Sequence, residues 1–391
     1  MSRTVTVRMY NIGFADCFLV TLTEDERIAR ILVDCGANAF GDNGFLTEQV
    51  VADLTETDSG RPYLDVVVAS NPHRDHIAGF ASARWQDIGV GEVWLPWVEH
   101  PADSEAARVR HSQDRAARGL ATAFSATTAE GMLARNALRT ERAMWTLRHG
   151  FAGDPRRRYH DELLDAFGAM TALPGVLVHI LGPARSTDLE PILGAVDRQW
   201  HAHNDIAAEQ RPSAPFADGY RLTPAQYERR YGDRVEVPSD NLLAQLTVEP
   251  RDPFAALCLL DRAMNNQGMF FALEFGDAVL VFPGDTQWAG WQPVLDNPDI
   301  CRLLARTTIY KVAHHGSYTG TPRRFATEIL PRTAISLLST GAGPWDAVPH
   351  HELTDALGAG DRLLVRSDDQ NPARPVIRHP TGLWSEITVE A

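Results

Sequence analysis

Short apolar runs recur through the first hundred residues and predict β-strands separated by turns. Residues 4–10, 17–22 and 28–33 alternate apolar and polar side chains, which is typical of strands with one buried face. Residues 64–69 form a nearly continuous apolar run, as expected for a strand covered on both sides. A further strand is predicted at 91–95.

The same pattern resumes in the last third of the chain. Strands are predicted at 269–274 and 278–282, joined by a hairpin turn, and another at 308–313. Apolar residues at helical spacing predict helices at 44–54 and 288–305. Strands that alternate with helices in this way predict an α/β fold.

Two long stretches interrupt this alternation. Residues 98–173 are rich in Ala, Arg and Glu and poor in β-branched residues, so we expect a helical insertion. Residues 176–181 return to strand character, and residues 184–262 are polar with weak periodicity. We therefore expect one domain over 1–391 that carries a helical insertion at 98–173 and a second, polar insertion at 184–262.

Polar side chains fall where the apolar strands end. Asp34, the loop 70–76, Asp285 and the pair His314–His315 each follow a predicted strand. In layered α/β folds the loops at strand ends converge on a common site. The segment Ser-Asn-Pro-His-Arg-Asp-His in this loop brings together imidazoles and carboxylates, the ligands that suit a divalent transition metal.

These residues resemble a known family. The segment from His73 to Gly79 is similar to the metallo-β-lactamase signature H-x-H-x-D-H-x-x-G, and the segment around Asp16 resembles the start of one branch. That branch includes the hydrolase domain of the ComEC DNA-uptake proteins and related phosphodiesterases. Asn265–Asn266, Asp285 and the run from Lys311 to Ser317 follow its N…GD…KxxHHGS order. The match runs in outline from residue 5 to 340 and leaves both insertions unmatched.

The resemblance implies a fold and a set of site residues. The fold would be the αββα sandwich of this superfamily, in which helices flank two mixed β-sheets. The expected metal ligands are His73, Asp75, His76, Asp285 and His315, with Asp285 bridging two metals. The expected residues behind the ligands are Asp34, Asn71, Asp16, Asn266 and Ser317.

Adjacent residues of a strand point to opposite faces, so only one of His314 and His315 is expected to be a ligand, and we favour His315. His314 would then contact the substrate. The candidate catalytic residues are Asp75, His314 and Lys311. Further histidines that could join the site are His179, His350 and His351.

The first histidine of the family signature is Asn71 in this chain. An amide oxygen is a weaker and harder ligand than imidazole. This departure leaves three alternatives: one metal ion instead of two, a site for a hard metal that accepts oxygen ligands, or a catalytically weak protein. Zinc and manganese are the candidate ions.

The charge distribution bears on the substrate. The chain carries a net charge of −14, which disfavours unspecific nucleic-acid binding, yet the stretch 101–158 has eleven arginines against six acidic residues. This basic stretch is either a polyanion-binding lid or an ordinary solvated or docking surface. Lys311, the chain's only lysine, either supplies a cation to the pocket or faces solvent from an edge strand.

The four cysteines form no CxxC pair, which favours a reducing compartment. The chain begins without a signal-peptide pattern and has no apolar run long enough to span a membrane, so we expect a cytoplasmic protein without a membrane partner. The predicted function is metal-dependent hydrolysis, with a phosphodiester or nucleic acid as substrate. The alternatives are hydrolysis of another ester, lactone or amide, and a degenerate protein that binds a protein partner through its insertions.

Overall fold

Two mixed β-sheets pack face to face in the computed structural model, which describes residues 2–37, 44–56, 62–160, 165–167, 175–185, 253–341, 343 and 347–391. The first sheet has the strand order β14-β15-β1-β2-β3-β4-β5-β6. Its strands are β1 (Arg3–Tyr10), β2 (Phe18–Glu24), β3 (Arg27–Val33), β4 (Tyr63–Val68), β5 (Gly89–Pro96), β6 (Arg156–His160), β14 (Ile377–Arg378) and β15 (Trp384–Glu390). The pairs from β3 to β6 are parallel, and the others are antiparallel.

The second sheet has the order β13-β12-β11-β10-β9-β8-β7. Its strands are β7 (Asp165–Phe167), β8 (Val176–Gly182), β9 (Phe270–Phe275), β10 (Ala278–Phe282), β11 (Thr307–Lys311), β12 (Ile335–Leu338) and β13 (Leu363–Arg366). The pairs from β10 to β13 are parallel, whereas β7 to β10 pair antiparallel.

Strand alternation builds the core between the sheets. Phe18 and Val20 of β2 and Phe271 and Leu273 of β9 belong to one apolar cluster, which joins the inner faces of both sheets. The residues between them point outward, as Leu19 of β2 does, and pack under helices. Burial on both faces explains why these strands read as apolar runs in the sequence.

Helices cover both outer faces, which gives a helix–sheet–sheet–helix arrangement. They are α1 (Gly44–Glu56), α2 (Arg74–Ile77), α3 (Ser104–Ala123), α4 (Ala129–Asn136), α5 (Glu141–Trp145), α6 (Pro253–Asn266), α7 (Trp288–Asp296), α8 (Pro298–Leu304) and α9 (His351–Leu357). This confirms the predicted α/β class with two mixed sheets flanked by helices. Among the described helices, none is long and apolar enough to cross a membrane.

Some predicted elements need correction. The helix expected over 288–305 is two helices, because Asn297 breaks the first and its side chain accepts from the backbone of the second, which begins at Pro298. Among its described residues, the stretch 98–173 is helical only up to residue 150. Arg156–His160 extends the first sheet as an edge strand, where Arg158 pairs with Glu92 of β5, and this charged composition hid the strand from sequence analysis.

The second stretch, 184–262, lies largely outside the described residues. Its described end belongs to α6, which begins at Pro253 and packs against α3 and α4 through Leu257 and Leu260. The predicted boundary at 262 therefore divides a helix. The helices of the first insertion and α6 form a small apolar cluster of their own.

Candidate metal centre

The polar residues predicted at strand ends meet at one edge of the sandwich. Asp16 follows β1, His76 lies in the segment after β4, and Asp285 and His315 follow β10 and β11. One potential ligand atom from each of these four residues lies within 4.8 Å of the others, and all four side chains are buried. The two sheets thus bring together a cluster that could hold a metal ion.

His76 is held by a carboxylate on each ring nitrogen. Its Nδ1 lies 2.8 Å from Asp34 Oδ2, and its Nε2 lies 2.9 Å from Asp285 Oδ2. Burial would lower the pKa of His76, but Asp285, Asp34 and Asp75 together raise it well above its usual value. Asp34 is fixed in turn because it accepts hydrogen bonds from the backbone and hydroxyl of Ser70, at 2.7 and 2.6 Å.

His315 is also held at both ring nitrogens, by a backbone carbonyl and a carboxylate. Its Nδ1 lies 3.0 Å from the carbonyl oxygen of Ser339, and its Nε2 lies 3.2 Å from Asp75 Oδ2. A carbonyl can only accept, so Nδ1 carries the proton and Nε2 presents its lone pair when the ring is neutral. Burial would lower the pKa of His315, whereas Asp16 and Asp75 raise it.

The two ring nitrogens of each imidazole therefore face different groups. The Nε2 atoms face Asp75 and Asp285, whereas the Nδ1 atoms face supporting groups. Asp16 lies on the Nδ1 side, 3.6 Å from Nδ1 of both His76 and His315. Asp75 and Asp285 are thus better placed than Asp16 to share a metal with the Nε2 atoms.

Lys311 lies behind the cluster and is 2% exposed, which excludes the solvent-facing interpretation. Its ammonium forms an ion pair with Asp16, donates to the carbonyl of Gly284 at 2.9 Å and lies 3.4 Å from Asp285 Oδ1. Burial opposes the charge, but Asp16 and Asp285 raise the lysine's pKa above its usual value. These bonds occupy the ammonium inside the protein, so the predicted contact between Lys311 and substrate is not supported.

His73 and Asn71, both in the loop after β4, have different roles. The Nε2 atom of His73 is buried and has no hydrogen-bond partner among the described residues, and burial lowers the pKa of this histidine to about 4. His73 is therefore a neutral imidazole with a nitrogen still to be satisfied. The Asn71 oxygen accepts from the His73 backbone at 2.6 Å, and its amide donates to Asn265 at 3.1 Å. Both polar groups of Asn71 hold the loop, so it is not placed as an oxygen ligand.

Left-handed backbone conformations shape the site. Asp34, His314 and His315 all have positive φ, at 59°, 48° and 51°. Such conformations are uncommon outside glycine and cluster at functional sites. The sequence argument placed the two histidines on a strand, but β11 ends at Lys311 and both lie in the turn beyond it. Their different directions come from this turn and not from strand alternation.

The remaining predicted residues surround this turn. His314 is half-buried, with Nδ1 3.3 Å from the hydroxyl of Thr319, and burial lowers its pKa. The Ser317 hydroxyl also bonds Thr319, at 3.1 Å, and so stabilises the turn instead of touching a ligand. Asn266 accepts from the backbone of Gln287 and Gly290, which fixes the chain after Asp285.

The three additional histidines lie outside the cluster. His179 pairs with Glu274 of the neighbouring strand, at 3.0 Å. His350 donates its backbone N–H to the carbonyl of Gly316 but contributes no atom to the cluster, and His351 is exposed at the start of α9.

Sequence reasoning missed residues that reach the site from the insertions. Asn136 of α4 brackets Asp75, because its amide donates to Asp75 Oδ1 at 3.0 Å and its oxygen accepts from the Asp75 backbone at 3.2 Å. Asp261 of α6 accepts from Asn265 at 3.1 Å and from Gln287 at 3.4 Å. Neither lies in a recognisable motif, so only the packing of the insertion against the sheet reveals them.

Asparagine in place of Asp261 is expected to flatten the pH dependence of stability of the EDTA-treated protein. Burial and the charges of Asp285 and Asp75 raise the Asp261 pKa to about 7. The folded state therefore retains a proton that the unfolded chain releases near its own pKa of about 4, so stability falls as pH rises from there to the folded pKa. Melting temperatures measured at about pH 5 and about pH 8 should differ less in Asp261→Asn than in the parent protein.

The control for this experiment is Asp355→Asn, an exposed position on α9. It should keep the pH dependence of the parent protein. An Asp261→Asn variant whose melting temperature changes with pH as much as that of the parent would show that Asp261 does not titrate in this range.

Charge balance provides a test of whether a cation fits. Four buried carboxylates meet here, those of Asp16, Asp34, Asp75 and Asp285. Among the described residues in contact with them, Lys311 carries the fixed positive charge. Buried charges need compensation, and the surrounding carboxylates raise the pKa of His76 and of His315, which favours protonated rings in the metal-free site. A divalent cation would replace these protons, and the unpartnered nitrogen of His73 offers a further donor.

Comparison with known proteins does not assign this site to a family. No protein-family model matches the chain, and no curated protein matches it. The functional interpretation therefore depends on the arrangement of the residues themselves.

Proposed function

We propose that this protein is a metal-dependent hydrolase of the metallo-β-lactamase fold that cleaves phosphodiester bonds. The observation that carries the proposal is the meeting of His76 Nε2, His315 Nε2, Asp75 and Asp285 at the edge where both sheets end. Imidazole nitrogens combined with carboxylate oxygens suit zinc or manganese. The helix–sheet–sheet–helix layers and the order of site residues along the chain also agree with that family.

The ligands are held before an ion binds. Asp34 accepts the Nδ1 proton of His76, and the Ser339 carbonyl accepts that of His315, so both rings direct Nε2 forward. Such partners fix the tautomer and orientation of metal-bound histidines. Asn136 orients Asp75 in the same way. A bound divalent ion would supply Lewis acidity and a water acidic enough to attack at neutral pH.

The donor set favours one tightly bound ion. His76, His315, Asp75 and Asp285 serve a single position, whereas a second position would have His73 and a shared Asp285. The amide of Asn71, at the position of the family's first histidine, is occupied by His73 and Asn265. We therefore expect one ion to bind tightly and a second, if added in excess, to bind weakly.

The surroundings favour an anionic substrate. His314 lies half-buried beside the cluster and is neutral, so its imidazole can exchange hydrogen bonds with a substrate oxygen. The insertion contacts the site through Asn136, and its segment 101–158 carries eleven arginines against six acidic residues. This combination suits a phosphodiester better than a neutral ester or amide.

Elemental analysis and substrate comparison test the proposal. The purified chain, loaded with zinc or manganese and desalted, should retain about one ion per chain and hydrolyse bis-p-nitrophenyl phosphate. Faster turnover of p-nitrophenyl acetate or of a lactone would assign the site to another ester. A chain that stays folded and metal-free under these conditions would contradict a metal-dependent function of either kind.

Asparagine in place of Asp34 is expected to weaken zinc binding by about 10- to 100-fold. Asparagine fits the left-handed backbone at this position and still accepts from Ser70, so the fold should persist. Its amide group, however, would face Nδ1 of His76 and favour the tautomer with the proton on Nε2, the atom needed for the metal. Competition with a zinc-binding dye measures the affinity.

The matched control for Asp34→Asn is Asp65→Asn. Asp65 lies on β4 outside the metal cluster, and its carboxylate also accepts from a backbone N–H, that of Arg30 at 2.7 Å. Zinc affinity should be unchanged in this variant. Equal affinities in the Asp34 and Asp65 variants would mean that Asp34 does not orient a ligand.

A further inference from the structure

The helical insertion contains a cavity of about 360 Å³ that the metal site does not use. Its lining residues come from α3, from the segment between α4 and α5, and from α5 with the turn that follows it. The basic side chains in its lining are Arg110, Arg118, Arg139 and Arg148. The volume lies within the range of small-molecule binding sites.

Carboxylates balance the positive charges of these four arginines only in part. Arg139 and Arg148 share the buried carboxylate of Glu99, and Arg139 also pairs with Asp114. The Nη1 atom of Arg110 donates to main-chain carbonyls, and burial together with Arg148 and Arg139 lowers its pKa.

Two further observations indicate an excess of positive charge and of unsatisfied donors at the cavity. The Nε atom of Arg148 is buried without a hydrogen-bond partner among the described residues. Arg118 is exposed at the cavity, and none of the described contacts pairs it with a carboxylate. Four arginines line the cavity against the two carboxylates of Asp114 and Glu141, so positive charge exceeds negative charge in the lining, and a bound anion would balance the excess.

Aromatic side chains line the same cavity. Trp145 is 44% exposed, which is unusual for so large an apolar side chain, and it lines the cavity beside His149. The two rings are 6.3 Å apart at their centroids, and the guanidinium of Arg142 lies 4.7 Å from the centre of the Trp145 ring. Exposed tryptophan next to arginine is the combination on which nucleobases stack.

We infer that this cavity binds a nucleotide, with its phosphate on Arg110, Arg118 and Arg148 and its base against Trp145. The inference does not depend on the proposed hydrolase activity, because none of the proposed metal ligands lines the cavity. Glu99 already pairs with Arg139 and Arg148, whereas Arg118 and Trp145 are exposed, so we expect Arg118 and Trp145 to decide binding. Glu141 also lines the cavity and would repel the phosphate.

Isothermal titration of the full chain in EDTA with adenosine 5′-monophosphate tests the inference. The nucleotide should bind, and both adenosine and ribose 5-phosphate should bind at least about tenfold more weakly, because each lacks one of the two contacts. Arg118→Glu and Trp145→Ala should each weaken binding of the nucleotide about tenfold or more. Glu141→Gln should strengthen it.

Arg115→Glu is the matched control, since Arg115 is exposed on the same helix one turn before Arg118 and outside the cavity lining. At physiological salt it should change the affinity by less than about twofold. The inference is overturned if the nucleotide does not bind, if Arg115→Glu weakens binding as much as Arg118→Glu, or if Trp145→Ala leaves the affinity unchanged. All of these results are independent of metal, so they stand apart from any failure of the hydrolase assay.

Discussion

Alanine in place of His76 should reduce phosphodiesterase turnover by at least about a thousandfold and should remove the bound metal. His76 is fully buried, and its two nitrogens connect Asp34 to Asp285. Loss of this ring removes one ligand and separates two carboxylates that it holds together. The measurements are kcat/KM for bis-p-nitrophenyl phosphate with manganese or zinc, and the metal content of the same preparation.

Two further variants make this result interpretable. His179→Ala removes a histidine that pairs with Glu274 away from the cluster, so its turnover and metal content should match those of the parent protein. His76→Asn fills more of the buried space and serves if the alanine variant does not fold. A folded His76 variant that keeps its metal and its turnover would remove His76 from the site.

Methionine in place of Lys311 should destabilise the metal-free protein by about 3–5 kcal/mol, because it leaves the Asp16 carboxylate buried without its partner. Lys311 is 2% exposed and Asp16 is 0% exposed, so solvent cannot compensate the remaining charge. The double variant Lys311→Met/Asp16→Asn removes both charges and should recover much of the loss. Urea unfolding in EDTA measures the four free energies of this cycle.

The control for Lys311→Met is Arg302→Met, which breaks an ion pair between Arg302 and Asp299. The side chains of Arg302 and Asp299 are 73% and 75% exposed. Surface pairs contribute little, so this variant should unfold close to the parent protein. The opposite pattern, in which Lys311→Met retains its stability and loses only turnover, would restore the interpretation that Lys311 acts on the substrate. A Lys311→Met variant that is as stable as the parent protein, with Asp16 unchanged, would likewise contradict the ion-pair argument.

The local sequence was sufficient to locate the strand ends and the chemistry at them. β10, predicted at its observed bounds of Ala278–Phe282, is buried along its whole length, and the Pro-Gly-Asp that follows places Asp285 at its end. His73, Asp75 and His76 were found in the same way, because a buried strand must end where polar residues begin. The prediction that Asp34 supports the site agrees with its bond to His76.

Other features depend on residues far apart in the chain. Lys311 looks the same in sequence whether it faces solvent or a buried carboxylate, and the position of Asp16, 295 residues away by sequence number, decides between them. Asn136 belongs to an Ala- and Arg-rich helix with no visible motif, yet it holds Asp75. The nucleotide-sized cavity likewise needs α3 to pack against α5 and the segments just before and after α5.

The sequence by itself determined the α/β class, the apolar strands of both sheets and the residue types at their ends, since these follow from apolar periodicity and from the polar residues that interrupt it. Only the tertiary structure decided which nitrogen of each histidine faces the carboxylates, that Asn71 is occupied by the loop, and that Lys311 is buried with Asp16. Hydrogen-bond partners and ion pairs across the sheets join residues with large sequence separation, and no local pattern encodes their orientation.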